Sequence, residues 1–385
     1  MFEKMIKNKL LSSLDKTQYG EIHLQTPEGG IYHFKGKKPG QSCDIILEDW
    51  RTIANLNFKG DIGLAEDYRD GYIHTNDLTK LLLFGLENEA IFSGYIRGNF
   101  FYQQLSKLSY LAKRNTIQGS RKNIYKHYDL GNQFYKLWLD ETMTYSSAIF
   151  NSQNDTLTDA QINKYDRILE KIPNDGKLLE IGCGWGGFLE RALSKKNTKN
   201  KGITISEAQC LYANQRLGNA ASIKLEDYRV QKGQYDVIVS IEMLEAVGQA
   251  YWPVYFRKLK ELLKPNATAI IQSIVIDDAL FKSYTKGADM IRTFIFPGGM
   301  LPSSSVIKGQ LKQTKLKLTD QYSFGQDYAK TLYCWLEKFK SQDKSLISMG
   351  FDKRFQRLWQ FYLSYCIAGF QSRRTDVLQW EIAHA

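Results

Sequence analysis

The stretch Leu179-Glu180-Ile181-Gly182-Cys183-Gly184-Trp185-Gly186-Gly187-Phe188 has the residue types and spacing of a nucleotide cradle. An apolar LLEI leads into the glycines and reads as a strand; FLERALSKK follows and reads as a helix. Glycines let the backbone turn sharply and come close to a ligand, and the first turn of the helix offers unpaired N–H donors. Gly182, Gly184 and Gly187 also satisfy G-x-G-x-x-G, a spacing that several nucleotide folds share. A dinucleotide site wants an acid about 20 residues further on, at the end of the second strand, for the ribose. That strand, KGITIS, closes on Ser206, and Glu207 already belongs to the next helix pattern. The acid sits just before the first glycine instead, as Glu180, which disfavours hydride transfer.

The elements that must position this loop form a doubly wound pattern. KLLEIG, KGITIS, SIKLEDY, YDVIVSIEMLEA and TAIIQSIVI read as strands, with helical patterns between most of them; Gly218 and Pro265 close two of these helices. Strands separated by helices imply a mostly parallel sheet, whose ligands lie at the strands' C-terminal ends. Those ends carry polar groups: Glu180 after the first, Thr204, Ser206 and Gln209 after the second, Asp227 and Tyr228 after the third. Glu242 and Glu245 follow the fourth strand, and Gln272 lies within the fifth. Each alone also reads as a satisfied polar group, and Ser206 as a helix cap; their convergence carries the argument. KLKLTDQYSFG reads as an antiparallel addition at the sheet's edge, and FPGGMLP as a defined loop with the apolar character of a lid or lipid-facing wall.

The chain's 385 residues suit two domains, and 43% apolar content is ample for a core. A boundary near 115–120, in polar NTIQGSRKN, divides a helper domain (1–115) from a catalytic domain (116–385). The first domain reads as a smaller α+β unit: an amphipathic helix, a hairpin around Pro27-Glu28-Gly29-Gly30, and a helix capped by Thr75 or Asp77. The amphipathic helix is expected to pack on its own domain, with a membrane-surface role as the other reading. The net charge of +11 draws the chain to polyanions such as anionic lipid or nucleic acid. No Asp/Asn-Pro-Pro-aromatic run, the mark of base-flipping methylation, supports the second. Arg354, Arg357, Arg373 and Arg374, opposite the apolar stripe of the last helix, face phosphates or water on this reading. Five scattered cysteines have no zinc spacing and imply reduced thiols, hence a cytoplasmic protein. No stretch reaches the roughly 20 apolar residues of a spanning helix, so any membrane contact is peripheral, at the inner surface.

The order E-x-G-x-G-x-G resembles class I S-adenosylmethionine-dependent methyltransferases, Rossmann-like α/β proteins whose loop embraces the methionine part of the cofactor. HYDLGNQFYKLWLD, MTYSSAIF, LLEIGCGWGGF, GITIS-x-x-Q, EDYR, SIEMLEAVG, IFPGGMLPS and FG-x-DYAKTL-x-x-W together, in this order, resemble the cyclopropane-fatty-acyl-phospholipid synthase family over roughly 125–340. The resemblance implies transfer of the methyl(ene) group of S-adenosylmethionine to the double bond of an unsaturated acyl chain in a membrane phospholipid, forming a cyclopropane. It also implies an N-terminal lipid-binding domain, an anionic phospholipid surface as partner, no nucleic acid, and a homodimer as the assembly of larger members. A lipid-binding protein without catalysis is the rival from another class; the intact loop with Glu180, Glu245 and Tyr328 speaks against it.

For the cofactor the resemblance implicates Tyr145 and Ser146 beside the methionine end, and Gly182, Gly184 and Gly186 as the cradle with Glu180. Thr204, Ser206 and Gln209 fall toward the ribose, and Asp227 and Tyr228 toward the adenine. His127, Tyr128, Phe134, Tyr135, Phe296 and Pro297 would shape the acyl tunnel. In the family a bound bicarbonate is held to take the proton that leaves the methylated chain. Its Glu matches Glu245, its Tyr matches Tyr328, and its backbone-offering Ile matches Ile274. Its YSCA cysteine is Ser147 here, its LHTI histidine is Gln272, and its EHVG has become EAVG, with Ala246. Ser and Gln still donate hydrogen bonds to an oxyanion, so a bicarbonate-like site is expected, without a titratable histidine. These departures bear on the product more than on methyl transfer. They give the alternative of a methyl-branched or methylated unsaturated chain without ring closure.

Overall fold

A hairpin in one unit and a switch in strand order in the other shape the two compact units into which the chain divides. The computed structural model describes residues 2–96, 116, 119 and 130–385.

The first unit comprises Met1–Tyr110, Ser283–Ile295 and Leu336–Ser372. Strands β1 (Tyr19–Gln25) and β2 (Ile31–Lys35) pair antiparallel around the expected turn, where Gly29 holds a φ of 82°. Strand β3 (Lys38–Leu47) runs parallel to β1, and the short β4 (Ile73–His74) runs antiparallel to β3. The helix Phe2–Leu14 buries Ile6, Leu10 and Leu14, so its apolar face packs on its own unit. Asp77 caps the helix Leu78–Glu87 by accepting from the Lys80 N–H. The helix Lys353–Gln371 also belongs here, and its stripe buries Trp359, Tyr362 and Phe370. Arg357 donates to the carbonyls of Tyr68 and Ile73, and Arg354 pairs with Asp70 at 2.8 Å. These two arginines are therefore partnered within their own unit instead of facing phosphates. The unit is discontinuous in sequence, and apart from residues 116 and 119 the linker around the expected cut lies outside the described residues.

The second unit comprises Leu111–Lys282, Phe296–Trp335 and Arg373–Ala385. Its strands are β5 (Asp175–Ile181), β6 (Asn197–Thr204), β7 (Ala221–Leu225), β8 (Tyr235–Ile241), β9 (Leu263–Ile276), β10 (Leu316–Ser323) and β11 (Thr375–His384). They lie in the order β10-β11-β9-β8-β5-β6-β7. β5 to β9 pair in parallel, while β11 and edge strand β10 add antiparallel, as KLKLTDQYSFG suggests. Residues 178–181 are all buried because helices cover both faces of a parallel sheet. The order reverses between β5 and β8, which opens a crevice beyond their C-terminal ends. Thr156 and Asp159 form a capping box that starts the helix Leu157–Glu170, and Pro173 follows its end. Trp380 on β11 is buried and donates from Nε1 to Ser273 Oγ at 3.0 Å. Among the described residues no helix is long and apolar enough to cross a membrane, and all five cysteines are free.

Gly202 on β6 lets the helix Gly187–Lys195 press onto the sheet. A Cβ there would lie 2.8 Å from both Leu189 Cδ1 and Ile223 Cδ1 and 3.0 Å from Cys183 Cβ. Gly202→Ala is expected to lower unfolding stability by about 1–3 kcal/mol through overpacking, read by urea denaturation.

Candidate active site

The glycine loop turns β5 into the helix Gly187–Lys195 through positive φ at Gly182 (81°), Gly184 (51°) and Gly186 (86°). A Cβ on Gly182 would sit 2.9 Å from Met243 Cγ, whereas one on Gly184 would meet nothing within 4 Å. Space at Gly184 is thus open to a ligand, whereas Met243 fills the side-chain space of Gly182. Glu180, Gly182, Gly184, Tyr145, Ser146, Thr204, Gln209, Asp227 and Tyr228 line one cavity at this end of the sheet. Arg229, Glu242 and Met243 complete its wall.

Two residues assigned to the cofactor do other work. Ser206 caps the helix Glu207–Leu217, accepting from the Gln209 N–H, and is absent from the cavity lining. Gly186 faces Ala213 and Leu217, so its missing side chain serves helix packing. Asp227 is also less free than its position suggests. Arg229 Nε donates to its Oδ1 at 2.8 Å and a second guanidinium nitrogen to Oδ2 at 2.6 Å. This pair fixes the Arg229 side chain on the cavity wall, where sequence reasoning had only the aspartate.

Glu180 is buried, and its Oε2 has no hydrogen-bond partner among the described residues. Burial pushes its carboxyl up to about 8, opposed by the charge of Lys164. A buried, unpaired carboxylate oxygen on a cavity wall asks for a cationic or N–H-bearing ligand. The Tyr228 hydroxyl is likewise buried and unpartnered there. Lys164, fully buried, donates to Ser146 Oγ at 2.8 Å and Gln161 Oε1 at 2.7 Å, while Gln161 Nε2 donates to the Ser146 carbonyl at 2.9 Å. This clamp holds Ser146 at the wall. Burial lowers the Lys164 pKa to about 7 against the charges of Glu242, Asp140 and Glu180.

The five residues assigned to catalysis do come together, around a hub outside that set. Tyr328 Oη donates to Glu242 Oε2 at 2.6 Å. The Ser147 N–H and Gln272 Nε2 each donate to Glu242 Oε1 at 2.8 Å. Ser147 contributes its backbone, since its hydroxyl donates to the Ala148 carbonyl at 3.1 Å. Glu245 stands beside this cluster, with Oε1 accepting from the Ile274 N–H and Oε2 buried without a partner among the described residues. Burial, then the neighbouring charge of Glu242, pushes the Glu245 carboxyl up to about 8. Burial also raises Glu242, but its three donors and Lys164 hold it down. The sequence signal for Glu242 was its place one residue beyond β8; its partners come from segments far apart in the chain.

On the substrate side, Tyr145 packs against Trp138 and Trp335 with ring centroids 5.4 Å away in each case, against Tyr135 at 5.5 Å and Phe296 at 6.4 Å. Phe134 and Tyr135 are fully buried in this cluster, behind Tyr145, and do not line the cavity. Phe296 and Pro297 are half-buried in the FPGGM loop, which is tied to Glu245 by a bond from the Met300 N–H to its carbonyl at 2.9 Å. His127 and Tyr128 lie outside the described residues.

A family model described as "Mycolic acid cyclopropane synthetase" matches residues 115–380. "Tuberculostearic acid methyltransferase UfaA1" of Mycobacterium tuberculosis is 39% identical over 341 residues, 84% of this chain and 79% of that protein. "Cyclopropane-fatty-acyl-phospholipid synthase" of Escherichia coli is 34% identical over 351 residues, covering 88% and 87%. The crystal structure of mycolic acid cyclopropane synthase CmaA1 with SAH and CTAB aligns with a TM-score of 0.64 at 29% identity, covering 68% of this chain and 97% of that one. The second unit thus has the α/β class I methyltransferase fold.

A carboxyl whose folded pKa exceeds its unfolded value stabilises the fold at low pH and loses that contribution as pH rises to the folded pKa. For Glu245 the window runs from the ordinary 4.5 to about 8. Glu245→Gln is expected to flatten the fall in melting temperature of the ligand-free protein across that window, as measured by calorimetry at a series of pH values.

Proposed function

The chain belongs to the mycolic acid cyclopropane synthetase family, and from that premise we propose that it methylates the double bond of an unsaturated acyl chain in a phospholipid, leaving a methyl-branched or methylated unsaturated chain without a ring. It is an S-adenosylmethionine-dependent methyltransferase. The observation that carries the finer reading is the proximity of three features. A cavity with an unpaired buried Glu180 holds the cofactor, an aromatic wall begins at Tyr145, and a buried carboxylate, Glu242, lies on the same cavity.

When bound, the sulfonium supplies a methyl electrophile strong enough for an alkene, which is a weak nucleophile. The chain's own residues do the rest. Glu180 offers its free oxygen to the positively charged amino end of the cofactor, and the open space at Gly184 allows close approach. The Tyr145 ring and its neighbours form an apolar face suited to a developing cation on the acyl chain and to the exclusion of water. The ring-free product draws support from the 39% identity to a tuberculostearic acid methyltransferase and from Ser147, Gln272 and Ala246 standing where the family's bicarbonate chemistry has other residues. The second reading, a cyclopropane product, draws on the 34% identity to a cyclopropane synthase across most of both chains. The net charge of +11 suits work at an anionic membrane surface, where each well-placed Lys or Arg adds about 1 kcal/mol of attraction.

Two outcomes follow. Glu180→Gln is expected to weaken S-adenosylmethionine binding by about 10–100-fold in calorimetric titration, the range for losing a charge-assisted hydrogen bond. Incubation with labelled S-adenosylmethionine and vesicles of unsaturated phospholipid is expected to add one CH2 unit per methylated chain by mass spectrometry. Oxidative cleavage of that product yields fragments if a double bond remains. Resistance to cleavage would establish the ring and overturn the ring-free reading.

A further inference from the structure

The family resemblance brings a bicarbonate as proton acceptor, and the residues here do not fit one. Three of the groups expected to hold it, the Tyr328 hydroxyl, Gln272 and the Ser147 segment, spend their donors on the Glu242 side chain, at 2.6, 2.8 and 2.8 Å. A second anion would find those donors occupied and would lie beside two carboxyl groups, Glu242 and Glu245. Like charges that close disfavour one another strongly in a dry site. The Gln272 amide is held in this orientation, because its oxygen accepts from Gln379 Nε2 at 3.1 Å.

The backbone shows how the carboxylate is put there. Glu242 has a φ of 49°, in the left-handed region that favours glycine. It is held in that conformation by its own N–H, which donates to the Gln272 carbonyl at 2.7 Å. The side chain then turns back into the cluster and lines the cofactor cavity. A bulky acid in a glycine-like conformation, with three donors of the expected anion site aimed at it, is an anion built into the chain.

From this geometry we infer that Glu242 is the proton acceptor of the reaction, a tethered carboxylate in the place of bicarbonate, and that the enzyme works without bicarbonate. This rests on the proposed methylation of an acyl double bond. After methylation the acyl chain carries a cation. A C–H bond next to the cationic carbon breaks, its electron pair becomes the new C=C bond, and the proton passes to a Glu242 oxygen. The proton then leaves to solvent by way of the cavity. Glu245 is the poorer acceptor of the two, being pushed toward its protonated form by burial and by Glu242 itself. Burial raises the Glu242 carboxyl as well, but its three donors and Lys164 oppose that shift and favour the ionised form, which is the form that accepts a proton.

The test uses the full chain with Glu242→Gly, whose backbone suits the left-handed φ, and Glu242→Gln. Without any lipid, the melting temperature of Glu242→Gly is expected to rise with tens of millimolar formate or bicarbonate, while the wild type does not respond to either. With vesicles, wild-type methylation is expected to be unchanged when bicarbonate is stripped from the buffer and restored. Glu242→Gln should lose at least about 100-fold in turnover with cofactor binding intact, as befits a lost general base, and Glu242→Gly should regain turnover with formate. Wild-type stabilisation by bicarbonate, wild-type turnover that needs it, full activity in Glu242→Gln, or a Glu242→Gly protein indifferent to both anions would each overturn the assignment. If no lipid is methylated, the proposed reaction fails, and the melting measurements still decide whether Glu242 occupies an anion site.

Discussion

An ionised carboxylate inside a protein must be hydrogen-bonded or it will not stay ionised, and Glu242 meets that demand with donors from three separate segments. Ser147 brings the loop that follows the helix Asn132–Lys136, Gln272 brings β9, and Tyr328 brings the helix Gly325–Ser341. Each donor is itself held. Gln272 is fixed by Gln379 on β11, and the Tyr328 ring meets Trp335 edge-on at 6.1 Å. The single carboxylate therefore acts as a node that sets the register of the loop, the sheet and the helix around the cavity. Removing its side chain would leave three donors in the interior without an acceptor, which is costlier than losing one bond.

The surrounding ionisable groups are arranged so that the interior carries little net charge near neutral pH. Burial drives Glu180 and Glu245 up to about 8 and Lys164 down to about 7. Each shift moves its group toward the neutral form. Lys164 is a basic group that Glu242 and Glu180 both feel, and it is clamped on Ser146 and Gln161. A cationic ligand entering the cavity shifts this balance. It favours the ionised form of Glu180, and it makes the positive charge of Lys164 harder to keep. Binding and proton inventory are thereby linked through residues that never touch the reacting carbon.

How much of this was legible in the sequence follows from how local each signal is. The glycine loop, the doubly wound strands, the Pro27-Glu28-Gly29-Gly30 hairpin and the edge strand β10 are written in short-range spacing, and all four are present. The strand pattern already drew Glu245 and Gln272 together, but the addition of Tyr328, Ser147 and Ile274 was legible only through family resemblance, since these residues are scattered from 147 to 328. What the resemblance did not point to was Glu242, on which three of these residues converge. Glu242 and Glu245 lie three residues apart at the same strand end, and periodicity does not say which side chain turns inward. That depends on a left-handed φ at a non-glycine residue, which sequence patterns do not announce. Ser206 and Gly186 show the converse: residues placed well for a ligand were already spent on helix Glu207–Leu217. Arg354 and Arg357 read as exposed from the helix alone and found partners in other parts of their unit.

A tethered base also bears on which product forms. Ring closure takes a proton from the carbon that was just transferred, so its acceptor must reach the new methyl group. Formation of an alkene takes the proton from a carbon of the chain beside the cation. A small bound ion can shift within its pocket to meet either one, but the Glu242 carboxylate cannot move without giving up donors on both oxygens. Its position relative to the chain is therefore a geometric choice between the two outcomes, made before substrate binds. On the proposed reading the acyl chain meets the ring of Tyr145, which packs against Trp138, Trp335 and Tyr135. With base and wall both rigid, a change of product requires moving one of them, and the loop that carries Ser147 joins the two. It holds Tyr145 in the wall and Ser147 on the base two residues apart, so one segment of backbone sets both distances.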